Sequence, residues 1–163
     1  MLVGHSGHNP VMGHSLFSLR NELVSAGDRA SYLELNPAVL SDEDCDRFAL
    51  SAVYIGPRRE GEEGPLSMRI VCSGTSTTLR AVGEKSEPID ARQNLTVALF
   101  SVSRAFLEML ARAGKVEVEL GPDSHPLTRR MAPVNRANVG HFLDNLDARQ
   151  VVAEPAVPAG AVA

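Results

Sequence analysis

Regularly spaced apolar residues between positions 91 and 113 constrain the fold more than any other feature of the sequence. They recur every three or four residues, the spacing of one face of a helix: Leu95, Leu99, Val102, Phe106, Met109, Leu110 and Ala113. Asp90 and Gln93 have the spacing of a capping box, and Gly114 follows the last apolar residue. The pattern predicts an amphipathic helix over residues 91–113 that forms the centre of the core.

Strands and helices are predicted to alternate in the first third of the chain. Short apolar segments between turn signals are typical of strands, and Leu16, Leu19 and Leu23 recur at helical spacing. The predicted strands are residues 1–4, 30–35 and 52–56, and the predicted helices are residues 10–26 and 42–50. Because helical crossovers join parallel strands, this order predicts a parallel arrangement of the three strands.

Alternation of apolar and polar residues predicts antiparallel strands further along the chain. Residues 66–73 alternate in this way, and residues 77–82 are expected to return as the partner strand after a turn at residues 74–76. Residues 116–120 alternate between apolar and charged side chains, which predicts an edge strand whose charges discourage pairing with another chain. A last helix is predicted over residues 139–146.

These elements together predict an α/β fold, in which residues 1–149 form a single compact domain with a mixed β-sheet flanked by helices. Residues 121–133 are expected to be an extended connection. Residues 150–163 are rich in Ala, Pro and Val and have no apolar periodicity, so they are expected to form a flexible tail. The predicted edge strand and the last helix are the candidate docking surfaces.

Composition limits the class of protein. The 163 residues carry 16 Lys and Arg against 20 Asp and Glu, a net charge of −4 that argues against a dedicated duplex DNA binder. Two cysteines exclude a disulfide framework or a cysteine metal cluster, and they favour a reducing, cytoplasmic setting. No apolar run approaches the roughly 18 residues of a membrane-spanning helix, so no membrane partner is predicted.

A Gly/His-rich segment near the start of the sequence is the candidate nucleotide site. Gly4, His5, Gly7 and His8 lie between a predicted strand and a predicted helix, where α/β sheets bind phosphate on helix N–H groups. The segment resembles the opening of nucleotide-sugar glycosyltransferases over about the first 27 residues. No GxGxxG, Walker A or HExxH motif is present, so no cofactor and no metal site are predicted.

Three arginines are the candidate phosphate or RNA contacts. Arg129, Arg130 and Arg136 form the densest basic group, on and beside the predicted connection. Arginine offers a planar fork of donors that suits phosphate. The chain has no Trp, 2 Tyr and 5 Phe, few of the aromatic platforms that binding of single-stranded nucleic acid favours.

The organisation of the chain resembles the minor inner-capsid assembly and packaging factors of double-stranded RNA bacteriophages, the cystoviruses. The resemblance lies in chain length, in residues 1–35, and in the order of Pro133, a last helix and the tail. It implies a non-enzymatic component of the viral polymerase complex that aids procapsid assembly and genome packaging. It also implies a homodimer, contacts with larger capsid proteins and with single-stranded RNA, no catalytic residues, and a location in the virion interior or host cytoplasm. The alternative is a small nucleotide- or nucleotide-sugar-binding enzyme that uses the Gly/His-rich segment.

Overall fold

Antiparallel strands dominate the computed structural model, which describes residues 21–25, 31–41, 46–57, 65–121 and 127–153. In chain order the elements are β1 (Val24–Ser25), β2 (Tyr32–Ser41), β3 (Asp46–Pro57), β4 (Ser67–Cys72), β5 (Thr75–Pro88), β6 (Gln93–Val102), α1 (Arg104–Arg112), β7 (Val116–Leu120), β8 (Leu127–Arg130) and α2 (Pro133–Ala153). They form one compact domain around a single sheet, in the order β1-β8-β7-β4-β5-β6-β3-β2. Every strand pairing between these elements is antiparallel.

The two ends of this sheet are joined to each other. Residues 21–25 pair with β8 through Val24 and Ser25, and they also bridge to β2, where Glu22 lies opposite Glu34. Two backbone hydrogen bonds hold this second seam: Leu23 N donates to Leu33 O at 2.9 Å, and Leu35 N donates to Asn21 O at 3.1 Å. The strands therefore form a closed ring.

Strand β5 makes the corner of the ring. Its first half pairs with β4 and its second half pairs with β6, and the register shifts between Ala81 and Gly83. Such a bulge bends the strand and increases its local twist, which allows one strand to serve two differently oriented neighbours. The predicted β4–β5 hairpin is confirmed. Its turn is made by Ser73 and Gly74 at φ 49° and 89°, the left-handed conformation that a tight two-residue hairpin requires.

Both helices pack on one face of the sheet, which we call the inner face. Helix α1 buries Leu107 and Leu110, and α2 buries Val139, Phe142, Leu143 and Leu146. These side chains form one cluster with inner-face residues of the sheet, among them Leu33, Leu50, Met68, Ile70, Phe100 and Val118. The core thus lies between the ring of strands and an antiparallel helix pair, in which Gly140 of α2 faces Ala111 of α1.

A network of buried asparagines lies where the ring closes. The Nδ2 atom of Asn21 donates to Leu35 O at 2.8 Å and to Asn135 O at 3.3 Å. In return, Asn135 Nδ2 donates to Asn21 Oδ1 at 2.9 Å and to Glu22 O at 2.9 Å, and Asn138 Nδ2 donates to Asn21 Oδ1 at 3.0 Å. Asn135 Oδ1 also accepts from Ala132 N at 2.8 Å, which caps the start of α2. The side chains of Asn21 and Asn135 therefore join residues 21–25, β2 and α2.

The predicted helix over residues 91–113 is wrong for its first half, which is strand β6. Both edges of β6 are occupied, by β3 on one side and β5 on the other, and this pairing outweighs the helical spacing. The Asp90 carboxylate accepts from Arg92 N at 2.7 Å and Gln93 N at 2.8 Å, so it stabilises the β5–β6 turn. The helix starts instead after Ser103, whose Oγ accepts from Phe106 N at 3.1 Å. Phe106 is only partly buried.

The predicted parallel arrangement is also wrong in the described residues. Residues 46–50 begin β3 where a helix was predicted, and residues 21–25 are extended where the first predicted helix would end. Strands β2 and β3 pair antiparallel along their whole length, so no helical crossover separates them. A mixed sheet flanked by helices therefore overstates the helical content, because the sheet dominates the domain and both described helices lie on one face.

Two further predictions near the C-terminal end need correction. Strand β7 is not an edge strand, because it pairs with β4 on one side and β8 on the other. Its partner β8 lies within the predicted connection over residues 121–133. Helix α2 extends to Ala153 and so includes the first residues of the predicted tail. Residues 154–163 lie outside the described residues, as do residues 1–20, with the first predicted strand and most of the first predicted helix.

The asparagine network yields a stability prediction. Replacing Asn135 by Ala leaves the carbonyl of Glu22 without this donor and the N–H of Ala132 without this acceptor, whereas Asn21 Oδ1 keeps the donor from Asn138. Each buried group left unpaired costs about 1–3 kcal/mol, so the free energy of unfolding should fall by about 2–4 kcal/mol. Urea unfolding followed by circular dichroism measures it, and Asn145→Ala, an exposed asparagine on the same helix, is the matched control. Equal effects of the two substitutions would contradict a stabilising role of the network.

An ion pair between the helices makes stability depend on pH. Arg104 Nη2 lies 2.7 Å from Asp147 Oδ2, and its Nε lies 3.0 Å from Glu108 Oε1. The hydrogen bond from Arg104 stabilises the Asp147 carboxylate and lowers the pKa of Asp147, although partial desolvation opposes the shift. An acid whose pKa is lower in the folded state than in the unfolded state stabilises the folded state at pH values above the unfolded pKa, which is about 3.9 for Asp. This stabilisation is lost as the pH falls through the pKa of the folded state.

Stability should therefore decrease below about pH 4 more steeply in the parent protein than in Asp147→Asn, which cannot titrate at this position. Thermal unfolding at a series of pH values measures the difference. Asp144→Asn, an exposed aspartate on the same helix, should retain the steep decrease. If the unfolding temperature of the parent and that of Asp147→Asn fall equally with decreasing pH, the ion pair does not contribute to the acid dependence of stability.

Candidate functional site

The three candidate arginines do not meet at one surface. Arg129 and Arg130 are consecutive residues of β8, so their side chains leave opposite faces of the sheet. Arg129 is only 3% exposed. Its Nη1 donates to Thr128 O at 2.9 Å and its Nη2 donates to Ser31 O at 3.0 Å, across the seam between β8 and the start of β2. The guanidinium of Arg129 therefore donates its hydrogen bonds to backbone carbonyls of the same chain.

Arg136 also has a contact within the domain. It lies in the first turn of α2, and its Nη1 donates to the carbonyl of Ala113, the C-cap residue of α1. A cationic side chain at this position satisfies a helix-terminal carbonyl and interacts favourably with the helix dipole. Arg136 thus connects the end of α1 to the start of α2.

Arg130 is the exposed member of the group, and it lies within a charged surface formed by β4, β7 and β8. Arg130 is directly opposite Glu117 in the sheet. The pKa of Glu117 is lowered, first by the hydrogen bond and charge of Lys115, whose Nζ lies 2.9 Å from Glu117 Oε1, and further by the charge of Arg130. Arg69 and Glu119 form a second cross-strand pair at 2.7 Å. The charges that predicted an edge strand are thus paired across a continuous sheet.

The Gly/His-rich segment is outside the described residues, so Gly4, His5, Gly7 and His8 remain candidates from sequence alone. Within the described residues, no group of three or more His, Cys, Asp and Glu side chains could hold a metal ion. In the same part of the chain, neither helix is both long enough and apolar enough to cross a membrane. Cys72 is buried as a free thiol, and Cys45 is not among the described residues.

The outer face of β2, β3, β5 and β6 is a surface that the sequence analysis missed. This face is turned away from the helices, and its apolar residues lie in register across neighbouring strands. Val53 is opposite Val97, and Ile55 is opposite Leu95. Val97 is 42% exposed, whereas Val53, Ile55 and Leu95 are half-buried. We call these four residues the open patch.

A second apolar group lies on the same face and is buried. Ala38, Ala49 and Leu99 form a small cluster that is separate from the main core, with the partly buried Leu40 packed against it. Ala38 is directly opposite Ala49, and Leu99 is opposite Ser51. We call Ala38, Ala49 and Leu99 the covered patch. The outer face is therefore apolar over two adjoining areas, and only one of them contacts solvent extensively.

Charged residues border the open patch along β5. Lys85 is opposite Val97 and Glu87 is opposite Leu95, and the Lys85 Nζ and Glu87 Oε1 atoms lie 2.9 Å apart. Pro88 ends the strand. Charged side chains and proline on an exposed strand oppose uncontrolled pairing with other chains. The geometry is an apolar centre with a polar border, which is the composition of a protein interaction surface.

Comparison with known proteins finds no family model, no curated protein and no solved structure that matches the chain.

The two neighbouring arginines of β8 provide a direct test of structural against surface roles. Arg129→Ala leaves the carbonyls of Ser31 and Thr128 without these donors, and should lower the free energy of unfolding by about 1–3 kcal/mol. Arg130→Ala should change it by less than about 0.5 kcal/mol, as is usual at exposed positions. Urea unfolding of both variants measures the difference. A destabilisation by Arg130→Ala as large as that by Arg129→Ala would contradict the assignment.

Proposed function

We propose that the protein is a non-enzymatic assembly protein that binds protein partners through the open patch. The observation that carries this proposal is the exposed Val97 at the centre of an apolar row, in a sheet whose backbone is fixed by neighbours on both sides. A surface that is already ordered loses little conformational entropy on binding. Partners therefore gain apolar burial at Val97 without first having to order the sheet.

The proposed partners are a second copy of this chain and larger shell proteins. In a symmetric dimer the open patch of one copy would meet the same patch of the other. The Lys85–Glu87 pair would then bring charges of both signs to each side of the contact. A stable interface normally buries at least about 1,000 Å² in total, so the contact would extend beyond the four apolar residues onto this border.

The viral context of the proposal comes from the sequence resemblance. Similarity in organisation to the cystoviral assembly and packaging factors favours a component of the polymerase complex that aids procapsid assembly and genome packaging. The proposed location follows from it and is the virion interior or the host cytoplasm. The charged surface at Arg130 is the proposed site for single-stranded RNA, with Lys115 and Arg69 beside it. Any such contact should weaken as salt rises, because it would depend on phosphate charge.

The second candidate function is a nucleotide- or nucleotide-sugar-binding enzyme that uses Gly4, His5, Gly7 and His8. This alternative rests on the sequence of the Gly/His-rich segment. Isothermal titration of the full chain with nucleotides distinguishes the two functions. Micromolar binding that is lost on changing Gly7 or His8 would favour the enzyme, and weak or undetectable binding would favour the assembly protein.

A charge placed in the open patch tests the assembly function. Val97→Lys puts an ammonium group at the centre of the proposed interface, where it would be desolvated, so self-association should be abolished or strongly weakened. Sedimentation of the full chain over a range of concentrations measures the association. Thermal unfolding should show a similar midpoint for the parent and the variant, because Val97 is 42% exposed.

Val134→Lys is the matched control, because Val134 is 63% exposed on α2, away from the open patch. It should associate as the parent does. If the parent is monomeric at all concentrations, the homodimer part of the proposal fails, and binding to shell proteins would have to be tested with the same pair of variants. Equal association of Val97→Lys and Val134→Lys would exclude the open patch as the interface.

A further inference from the structure

We propose that two copies of the chain pair edge to edge through residues 85–88 of β5, antiparallel about a two-fold axis at Ser86. This contact is separate from the face-to-face contact of the open patches and does not depend on it. Residues 85–88 pair with β6 on one side, and among the strand pairings of the described residues none occupies their other side. All of them are exposed, and the side chains of Lys85 and Glu87 are 76% and 61% exposed. We call residues 85–88 the β5 edge.

The backbone groups of Ser86 point away from β6. Ile89 N donates to Gln93 O at 2.9 Å, which continues the β5–β6 ladder by one residue pair. Successive residues of a strand direct their N–H and C=O groups to alternate sides, so the odd-numbered residues face β6 and the even-numbered residues face away from it. Pro88 has no N–H group to direct away, and proline in sheets is found on edge strands for this reason. Ser86 therefore presents both a backbone donor and a backbone acceptor on the β5 edge.

Charge selects one register for the pairing of two such edges. Residues directly opposite each other in an antiparallel pair both direct their backbone groups to the partner or both away from it, so the two-fold axis passes through a residue position. An axis at Lys85 or at Glu87 places like charges opposite each other, which is destabilising. An axis at Ser86 places Lys85 of each copy opposite Glu87 of the other. The charges that oppose other registers therefore favour this one.

Pairing about Ser86 satisfies backbone groups as well as charges. Ser86 N of each copy would donate to Ser86 O of the other. Lys85 and Glu87 would form non-hydrogen-bonded pairs, in which the Cα atoms lie only about 4.5 Å apart, so the two side chains can form an ion pair across the contact. The Ser86 side chain lies on the inner face, where its Oγ is 2.9 Å from the Oγ1 of the buried Thr96. The β5 edge is already held by β6, so pairing orders little new backbone.

This contact would join the sheets of two copies into one continuous sheet. Because the two-fold axis of an antiparallel strand pair is perpendicular to the sheet, both open patches would lie on the same face of the joined sheet. A protein that contacts this face would then meet the apolar rows of both copies. A chain with two different self-complementary contacts can also assemble beyond a dimer.

A thiol at position 86 tests the contact in the full chain. The Cα atoms of a hydrogen-bonded pair lie about 5.5 Å apart, so Ser86→Cys brings two thiols together at the axis. A short bismaleimide should join them into a covalent dimer. Ser76→Cys, at an exposed serine in the half of β5 that pairs with β4, is the matched control and should give a several-fold lower yield. Equal yields from these two variants would overturn the proposal. The unsubstituted chain measures any reaction of Cys45 and Cys72.

Charge substitutions test whether the pairing joins two copies in this register. In the Ser86→Cys background, Lys85→Glu leaves only acids at positions 85 and 87, and Glu87→Lys leaves only bases, so each variant alone should lose most of its cross-linking. An equal mixture of the two should recover it, because the acids of one copy then lie opposite the bases of the other. The Lys85–Glu87 pair within each chain stays broken in the mixture, so recovery reports on the contact between copies.

The same mixture in the Ser76→Cys background should show no gain in cross-linking, which controls for general attraction between acidic and basic chains. Absence of recovery in the Ser86→Cys mixture, with thermal unfolding showing both variants folded, would overturn the proposed register.

A further variant separates this contact from the open patch. Val97→Thr makes the open patch more polar without adding charge, and it should leave the cross-linking of Ser86→Cys unchanged. In a face-to-face contact the two sheets lie about 10 Å apart and the thiols at position 86 point away from each other, so that contact gives no cross-link. Loss of the cross-link in Val97→Thr would overturn the proposal of a separate contact. The edge contact and the assembly function can therefore fail separately.

Discussion

The buried amide pair of Asn21 and Asn135 is the constraint on which the rest of the structure depends. These two side chains satisfy each other and also satisfy backbone carbonyls of Glu22 and Leu35. Without residues 21–25 held in this way, β8 and β2 would present the open ends of a sheet. Buried amides are costly unless their donors and acceptors are paired, so the network specifies one register for the closing seam. Closure of the ring in turn fixes the inner face on which α1 and α2 pack.

The closed ring explains why the two faces of the sheet have different roles. The inner face and the helices form the main core, which includes Phe100 and Phe142. The outer face carries paired charges on β4, β7 and β8, and apolar rows on β2, β3 and β6. The charged half is stable in water because its acids and bases are partnered. The apolar half gains free energy only when it is covered, and for this reason the proposed protein interface lies on it.

The sequence correctly predicted the strands whose apolar pattern agrees with the burial that the neighbouring elements impose. Residues 67–72 alternate between buried and less buried side chains and pair with β5 across a glycine turn, because one face is buried and the other faces solvent. Strand β6 was mistaken for a helix because it is apolar on both faces, as Leu99 and Phe100 show, and a short run of this kind contains apolar residues at helical spacing as well as at strand spacing. Residues 48–55 are also apolar on both faces of the strand, and this pattern was the feature of the sequence from which the outer-face surface could have been predicted. Nothing local indicated that Arg129 would be used inside the domain, because its carbonyl partner at Ser31 is 98 residues away.

The sequence separation within the seam has a consequence for the order of folding. Asn21 and Asn135 are 114 residues apart, so the chain between them must be organised before their contact can form. Bringing such distant segments together costs loop-closure entropy before any contact stabilises the product. The β2–β3 and β4–β5 hairpins can form from local chain alone. During synthesis, residues 21–25 therefore leave the ribosome long before their partners in β8 and α2, and this early segment is among the last to be fixed.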